Sequence, residues 1–311
     1  MNPEKSLETL RKGNYLPLKD VMHLFMKAGE ILIEESNVVP VSSPASVVGD
    51  VHGQFYDVNY MLEQMDVYDQ NCNRNYVFLG DYVDRGYYSI ETLCTLLVLK
   101  VLHPKSITIL RGNHECRDTS RMYGFFDECM RKYGTPTVWR AATDMFDAIP
   151  VAAVIDGKIL CVHGGISPDM VTVDQLNLLP RDDEIPMEGT LCDIMWNDPD
   201  PAVEEWAQSS RGTGFVFGHK AVSKFNRVNG LTLIARAHQL AEEGFNFPLG
   251  EEAGLVTVWS APNYMYRNRN KASVMHVDSA TAAPHFWVFD AVPDEDRVPP
   301  PGDFFFPAAF L

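Results

Sequence analysis

Acidic, amide and imidazole side chains recur in this sequence directly after short apolar runs. The most prominent stretch is Gly80-Asp81-Tyr82-Val83-Asp84-Arg85-Gly86, which follows the apolar run Tyr76-Val77-Phe78-Leu79. A short buried strand of this kind delivers two carboxylates and a guanidinium to its own carboxyl end, where open α/β sheets hold their ligands. We therefore expect Asp81, Asp84 and Arg85 to lie in a ligand site.

Six side chains at or just past the ends of predicted strands could bind metal ions. They offer oxygen and imidazole donors, which suit manganese, iron or zinc; the six are Asp50, His52, Asp81, Asn113, His163 and His238. Six ligands are too many for one catalytic ion with open positions. They suit two ions about 3.5–4 Å apart, bridged by one carboxylate, for which Asp81 is the natural candidate. A single residue of this kind more often caps a helix, closes a turn or is a hydrogen-bonded polar residue without a functional role. The prediction therefore depends on the whole set.

His114 follows Asn113. In an in-line displacement at the two ions, its imidazole is expected to lean toward the leaving group and to act as a general acid. A carboxylate partner would fix its tautomer and favour its charged form, and Asp84 is the candidate; the alternative is a structural contact in a turn. The planar guanidinium groups of Arg85 and Arg211 can each donate two hydrogen bonds to phosphate oxygens. Arg211 alone would be weak evidence for a phosphate site.

The elements that must position these residues begin as a repeat of strands and helices. Strands are predicted over residues 45–48, 76–79 and 107–110, separated by helices over 58–65 and 89–102. Three consecutive strands that each end in polar residues indicate a parallel sheet with crossover helices, and therefore an α/β fold.

The rest of the chain mixes helices with antiparallel signals. A helix is predicted over 18–36, and two β-rich runs around Asp156-Gly157 predict a hairpin over 151–162. Residues 176–206 are rich in Asp, Pro and Glu and predict surface loops around one short helix. The remaining predictions are helices over 116–133 and 137–148, and strands over 231–235, 255–259, 272–277 and 285–289.

Composition limits the classes of function. The 311 residues, 46% of them hydrophobic, suit one catalytic domain over 1–297 followed by a Pro/Phe-rich tail over 298–311. A formal net charge of -16 argues against a broad electrostatic grip on nucleic acid or an anionic membrane. No run approaches the roughly 18 apolar residues of a membrane helix. Six scattered cysteines and a polar start predict a soluble protein of the cytoplasm, with the nucleus as a second location.

Five segments carry a resemblance to a known family. They resemble the signature set of the phosphoprotein phosphatase family of serine/threonine phosphatases, and the similarity spans about residues 15–300; the segments are Gly49-Asp50-Val51-His52-Gly53, the Gly80–Gly86 stretch, Gly112-Asn113-His114-Glu115, His163-Gly164-Gly165 and Ser260-Ala261-Pro262-Asn263-Tyr264. The resemblance implies a central β-sandwich flanked by helices, with a dinuclear metal site at the sheet edge.

The resemblance also implies roles for single residues. One ion is expected on Asp50, His52 and Asp81, and the other on Asp81, Asn113, His163 and His238. His114 is expected to act as the general acid held by Asp84, and the phosphate is expected to contact Arg85, Arg211 and Tyr264. The implied activity is hydrolysis of phosphoserine and phosphothreonine monoesters by a metal-activated water, with two divalent ions, manganese or an iron/zinc pair, as cofactors.

Within the family, the chain is most similar to the type-2A-like branch and its protein phosphatase 6 group. This similarity rests on Arg236-Ala237-His238-Gln239-Leu240, Leu160-Cys161-Val162-His163 and Ala291-Val292-Pro293-Asp294. It implies phosphoprotein substrates and regulatory or scaffold subunits of the type-2A-like or phosphatase 6 kind. The loop after Tyr264 departs from the family pattern, since Asn268 and Arg269 stand where relatives carry cysteine and glycine.

Two alternative functions remain open from the sequence. A related dinuclear fold hydrolyses dinucleoside polyphosphates with similar Asp-His and Asn-His-Glu segments. A catalytically silent scaffold that only binds partners is the third possibility, against which the intact set of ligands and the acid argue.

Overall fold

The computed structural model describes residues 1–69, 73–279 and 281–298. Apart from Val298, the predicted tail over 298–311 therefore lies outside the described residues, and so does Cys72. The five other cysteines are free thiols and are buried. None of the helices in the described ranges has the length and apolar character needed to cross a membrane.

Most strands belong to one long sheet. The strands of the described residues are β1 (Val38–Val41), β2 (Ala45–Val48), β3 (Asn75–Phe78), β4 (Ile107–Ile109), β5 (Ala152–Ile155), β6 (Ile159–Val162), β7 (Asp198–Pro199), β8 (Trp206–Gln208), β9 (Phe215–Phe217), β10 (Leu233–Arg236), β11 (Glu243–Asn246), β12 (Leu255–Val258), β13 (Lys271–Val277) and β14 (His285–Phe289). Eleven of them are hydrogen-bonded in the order β1-β5-β6-β10-β12-β11-β13-β2-β3-β4, with β14 paired to β13. A small separate sheet has the order β7-β9-β8.

The long sheet folds back so that its two halves pack face to face. Val47 on β2 and Val77 on β3 share one buried cluster with Cys161 on β6 and Ala235 on β10, which come from the other half. All four side chains are fully removed from water, and apolar burial of this kind is the main force that holds two sheets together. The predicted α/β fold with a central β-sandwich is therefore confirmed.

Helices cover both outer faces of the sandwich. The helices of the described residues are α1 (Pro3–Arg11), α2 (Leu18–Ile33), α3 (Phe55–Gln64), α4 (Ser89–Leu102), α5 (Arg117–Met122), α6 (Phe125–Tyr133), α7 (Thr137–Phe146), α8 (Thr190–Trp196) and α9 (His219–Asn229). Helices α2 and α4 pack with β2 and β3 in one cluster, and α8 and α9 pack with β6 and β10 in another. Helix α4 is apolar nearly all round, which explains why almost all of it is buried.

The strand directions bring the polar segments to one edge. Val48 on β2 pairs in parallel with Phe78 on β3, which pairs in parallel with Ile109 on β4. Leu160 on β6 and Ile234 on β10 are also parallel partners. Parallel strands end on the same side of a sheet, so the segments that follow β2, β3 and β4 leave together, as predicted.

Several predicted boundaries were wrong. The helix predicted over 116–133 is two helices, α5 and α6, because Gly124 between them has φ 125°, a conformation that glycine permits and helices exclude. The helix predicted over 18–36 ends at Ile33, and the one predicted over 58–65 begins at Phe55. The hairpin around Asp156 and Gly157 is confirmed, with β5 and β6 antiparallel and positive φ at both turn residues.

Candidate active site

Asp81 lies at the centre of the site, just after β3. Its backbone N–H donates to Glu115 Oε2 at 2.7 Å, and its carbonyl accepts from the N–H of His52 at 2.9 Å. One carboxylate oxygen accepts from the N–H of His114 at 3.0 Å. Asp81 is therefore held by the segments that follow β2 and β4, through its backbone and through one carboxylate oxygen.

Two histidines aim their Nε2 atoms at Asp81 from opposite sides. His52 Nδ1 lies 3.0 Å from the carbonyl of Val83, and His163 Nδ1 lies 3.0 Å from the carbonyl of Leu79. A carbonyl accepts a hydrogen bond, so each Nδ1 carries the proton and each Nε2 presents a lone pair. These Nε2 atoms lie 3.5 Å from the two different oxygens of Asp81. Metal-binding histidines are oriented in this way by their second nitrogen.

The other predicted ligands complete two groups of donors on either side of Asp81. Asp50 Oδ2 lies 3.7 Å from His52 Nε2. On the other side, His163 Nε2 lies 2.8 Å from Asn113 Oδ1 and 3.2 Å from His238 Nδ1. Donor atoms within 4.8 Å of one another form two sets that share Asp81, namely His52, Asp81 and His114, and Asp81, His163 and His238. The structure thus brings all six predicted ligands together, and their assignment to individual ions stays a prediction.

The charges of the site fit divalent cations. Burial raises the pKa of Asp50 from 3.8 to about 7, and burial together with the Asp50 carboxylate raises the pKa of Asp81 well above its usual range. Burial lowers the pKa of His52, His163 and His238, which keeps their lone pairs available. Buried carboxylates surrounded by neutral imidazoles are unfavourable without a cation. The donors are oxygen and nitrogen with no thiolate, a set that suits manganese, iron or zinc.

Backbone strain is concentrated at the same place. His52, Asp81, Asp84, Arg85 and His238 all have φ between 42° and 70°. Each non-glycine residue in this left-handed region costs on the order of 1–3 kcal/mol and persists only where its surroundings fix it. Strain of this kind clusters at functional sites, and here it marks the segments after β2, β3 and β10.

His114 and Asp84 form the predicted pair. His114 Nδ1 lies 2.7 Å from Asp84 Oδ2, while Asp84 Oδ1 accepts from the N–H of Phe125 at 2.8 Å. Nδ1 therefore carries a proton, and Nε2 points to the side of Asp81, 3.9 Å from its Oδ2. Burial, and after it the positive charges of Arg85 and Arg211, lower the pKa of His114. This direction opposes the charged form that we expected Asp84 to favour.

The predicted phosphate-binding residues lie around this pair. The Arg85 guanidinium lies over the ring of Tyr123 at 4.1 Å from its centroid. Arg211 Nε donates to Asp198 Oδ2 at 2.6 Å. After burial, the positive charge of Arg211 contributes to lowering the pKa of both His114 and His238. The ring of Tyr264 lies 5.2 Å from that of His52. Tyr264 thus lies next to a predicted ligand, and Arg85 shares the Tyr123 ring with His114, whose ring centroid is 5.5 Å from that of Tyr123.

Comparison with known proteins identifies the family. A family model described as calcineurin-like phosphoesterase matches residues 44–242. Serine/threonine-protein phosphatase ppe1 of Schizosaccharomyces pombe is 51% identical over 295 residues, which cover 95% of each chain. The serine/threonine-protein phosphatase 6 catalytic subunit of Drosophila melanogaster is 46% identical over 297 residues, 96% of each chain. The chain belongs to the serine/threonine protein phosphatases.

A solved structure supports the same family. A protein serine/threonine phosphatase from Saccharomyces cerevisiae, with similarity to human phosphatase PP5, is 32% identical, with a TM-score of 0.86 and coverage of 94% of this chain and 98% of that one. The predicted family, with its similarity to the phosphatase 6 group, is confirmed. As a metallophosphoesterase with two groups of buried donor atoms, the chain is a hydrolase that uses divalent metal ions.

Sequence reasoning gave no role to two charged residues that support the phosphatase site. The Glu115 carboxylate is fully buried and accepts from the backbone N–H groups of Asp81, Tyr82 and Gly112 at 2.7–3.0 Å. Arg236 is fully buried and donates to the carbonyl of Gly164, next to His163, at 2.5 Å. The available signal for Arg236 was its position directly after an apolar run, whereas Glu115 was marked only by its place beside Asn113 and His114.

Asp198 also escaped sequence reasoning. One of its oxygens accepts from Arg211 and the other accepts from Arg236 Nη2 at 2.8 Å. It therefore joins a predicted phosphate-binding arginine to the arginine that supports the His163 segment. Its place on β7, in the small sheet, could not be predicted because that sheet was missed.

Proposed function

We propose that this chain hydrolyses phosphoserine and phosphothreonine monoesters on proteins, and that its six clustered donors hold two divalent ions. The observation that carries the proposal is the placement of Asp81 between two sets of predicted ligands, beside the His114–Asp84 pair with its 2.7 Å contact. One set is His52 and Asp50, and the other is His163, Asn113 and His238. When bound, a pair of ions activates a water and clamps the oxygens of the phosphoryl group during an in-line displacement. Manganese or an iron/zinc pair suits these donors.

The arginines bind the phosphoryl group in this proposal. Arg85 is fixed by its contact with the Tyr123 ring and by its own backbone N–H, which donates to the carbonyl of Tyr123 at 3.1 Å. Arg211 is held at Nε by Asp198, which leaves the end of its fork to meet phosphate oxygens. Two fixed guanidiniums orient the monoester so that the serine or threonine oxygen faces His114.

His114 then supplies the proton that the leaving group needs. Asp84 holds the ring through Nδ1, so the proton that moves is carried by Nε2 and passes to the departing alkoxide as its bond to phosphorus breaks. Burial, and after it the positive charges of Arg85 and Arg211, lower the pKa of His114 in the free site. A bound phosphate dianion offsets the charges of the two arginines and thereby favours the protonated form of His114.

The substrate class is tested by direct comparison of turnover. Purified protein is assayed with a phosphoserine peptide and with a diadenosine polyphosphate in the presence of Mn²⁺. The proposal predicts turnover of the peptide with little hydrolysis of the dinucleotide. The reverse preference would support the alternative hydrolase, and no turnover of either substrate at full metal occupancy would support a scaffold.

The general acid is tested with two leaving groups. His114→Asn is expected to slow cleavage of the phosphoserine peptide by about 10²–10⁴-fold, the usual worth of a positioned acid, and to leave metal content unchanged. An aryl phosphate has a better leaving group and should lose less rate. Equal losses on both substrates would contradict the role. The exposed His219 provides a matched control, since His219→Asn should change neither rate.

We also propose that the chain works with other subunits. The Drosophila relative is named as a catalytic subunit, which supports regulatory or scaffold subunits of the type-2A-like or phosphatase 6 kind here. A catalytic domain over 1–297 acting in the cytoplasm, with the nucleus as second location, fits this role. Affinity purification from cytoplasmic and nuclear fractions, followed by identification of the bound proteins, tests the partners and the location together.

A further inference from the structure

A strained loop that contains Tyr264 lies at the edge of the site. This rim loop, residues 263–269, holds four non-glycine residues in the left-handed region, with φ 43° at Asn263, 54° at Met265, 61° at Tyr266 and 59° at Arg269. Such residues keep this conformation only where their surroundings fix it. The contacts that fix the rim loop therefore control its shape beside the substrate.

A buried polar network joins the rim loop to the C-terminal segment. Gln54 donates to the carbonyl of Pro262 at 2.8 Å and accepts from the N–H of Met265 at 3.2 Å. The same side chain donates to Asp57 Oδ2 at 2.9 Å. The other oxygen, Asp57 Oδ1, accepts from the N–H of Val292 at 2.8 Å. Asp57 is thus the junction between the loop and residues 292–297.

Arg297 completes the network from the C-terminal side. Its Nη2 lies 3.0 Å from Asp57 Oδ1, and the two side chains are only 10% and 2% exposed. Its guanidinium also lies 5.2 Å from the centroid of the Tyr266 ring. A buried ion pair of this kind is strongly held, because losing one partner leaves the charge of the other uncompensated, and the aromatic face adds a further attraction.

Tyr266 carries this support toward the phosphate-binding residues. Its ring stacks on Tyr87 at a centroid distance of 4.5 Å and an interplanar angle of 10°. The N–H of Tyr87 donates to the Tyr266 hydroxyl at 3.3 Å. Tyr87 comes two residues after Arg85. Arg297, Tyr266 and Tyr87 therefore form a continuous stack from residues 292–297 to the segment that carries Arg85.

We propose that residues 292–297 form a fixed part of the wall that binds the substrate peptide, and that Arg297 is the positioning residue for Tyr266 and the rim loop. The proposal rests on the proposed phosphatase function for its kinetic consequence. Loss of Arg297 should loosen the wall that meets the peptide on either side of the phosphorylated residue. The metal donors and His114 lie outside the network, so the chemical step itself should change little.

The kinetic test uses Arg297→Ala in the full chain. KM for a phosphoserine peptide is expected to rise about tenfold and kcat to stay within about twofold of wild type, while a small aryl phosphate, which meets only Tyr264 of the rim loop, should lose less turnover than the peptide. Arg11→Ala is the matched control, because Arg11 also combines an ion pair, 3.0 Å to Glu63, with an aromatic face, 4.3 Å to Tyr68. It should leave KM unchanged. An unchanged KM in Arg297→Ala, or an equal loss on the aryl phosphate, would overturn the proposal.

A double variant separates positioning from a general loss of stability. Because Arg297 and Tyr266 support the same loop, the rise in KM of the double variant Arg297→Ala/Tyr266→Ala should be smaller than the product of the two single rises. Effects that multiply would overturn the proposal. Arg297→Lys, which keeps the charge but not the planar group, should rescue part of the loss.

Proteolysis tests the same wall without any substrate. Arg267 and Arg269 are exposed in the rim loop, and trypsin cleaves after arginine. Cleavage after these two residues should be about tenfold faster in Arg297→Ala than in wild type or Arg11→Ala, because cleavage follows the population of the opened loop. An unchanged rate would refute the positioning role even if the phosphatase assay shows no activity. If the wild-type chain does not turn over a phosphopeptide but Arg297→Ala is still cleaved faster than wild type, only the proposed function is refuted.

Discussion

Gly112→Ala is expected to damage the site through three steric contacts. A Cβ added to Gly112 would lie 2.3 Å from Asp81 Oδ1, 2.5 Å from the backbone nitrogen of Asp81 and 2.8 Å from Glu115 Oε2, whereas ordinary van der Waals contact begins at 3.4 Å. The carboxylate must therefore move by about 1 Å. The backbone of Asp81 cannot follow easily, because its N–H is bonded to Glu115 at 2.7 Å.

The size of the effect follows from this displacement. A misplacement of about 1 Å in a catalytic arrangement can cost roughly 10²-fold in rate, and overpacking of a buried position costs about 1–3 kcal/mol of stability. We expect Gly112→Ala to lower kcat/KM on a phosphoserine peptide about 10²-fold, to bind metal more weakly and to lower the free energy of unfolding by about 1–3 kcal/mol.

The assay combines peptide turnover, metal analysis and urea unfolding. Gly29→Ala is the control, because Gly29 lies within helix α2 and its added Cβ would meet only an ordinary contact, 3.7 Å to Met145. Alanine is favoured over glycine in a helix by roughly 0.8–1 kcal/mol, so this variant should keep full activity. Turnover of Gly112→Ala within about threefold of wild type would show that the steric reasoning is wrong.

Three further predictions concern the ions, pH and the rim loop. Asp81→Asn is expected to lower metal content and nearly abolish hydrolysis, because a bridging carboxylate offsets the repulsion of two cations; metal analysis showing two ions and normal turnover would exclude Asp81 as the bridge. Burial raises the pKa of Asp50 to about 7, so without metal the fold holds a proton that the unfolded chain releases. The free energy of unfolding of the metal-free protein should therefore fall as pH rises from about 4 to 7. Metal affinity measured by calorimetry should weaken below pH 7, because protons compete with the metal ions for the carboxylate. If stability rises over this pH range, or if affinity increases below pH 7, the burial argument is wrong. Arg269→Gly should raise the urea midpoint, since φ 59° costs a non-glycine residue about 1–2 kcal/mol, and should reduce any preference for acidic phosphopeptides; a lowered midpoint would show that Arg269 makes compensating contacts.

The elements that could be predicted are those whose signal lies in residues consecutive in the sequence. Strand β2 and helix α4 were predicted with the residues that the structure gives them, because a short apolar run and a long one are each written in consecutive residues. The ends of β2, β3 and β4 followed from parallel pairing, which made it possible to group Asp50, Asp81 and Asn113 before any distance was known.

The parts that were missed depend on contacts between distant residues. Strand β11 reads Glu243-Gly244-Phe245-Asn246, which has weak strand character, and it forms because it pairs with both β12 and β13. Glu115 reaches the backbone of Asp81 across 34 residues, and Arg297 reaches Asp57 across 240. A sequence pattern shows that such a charged residue exists but not which buried group it will meet.

The relation between bound metal and turnover tests the central claim most directly. Protein stripped with a chelator is titrated with Mn²⁺, and the ions bound per chain are measured on the samples that are assayed with a phosphoserine peptide. The two groups of donors around Asp81 predict that turnover is absent in the metal-free chain and reaches its maximum at two ions per chain. Full turnover with one ion, or with none, would contradict a dinuclear phosphatase site.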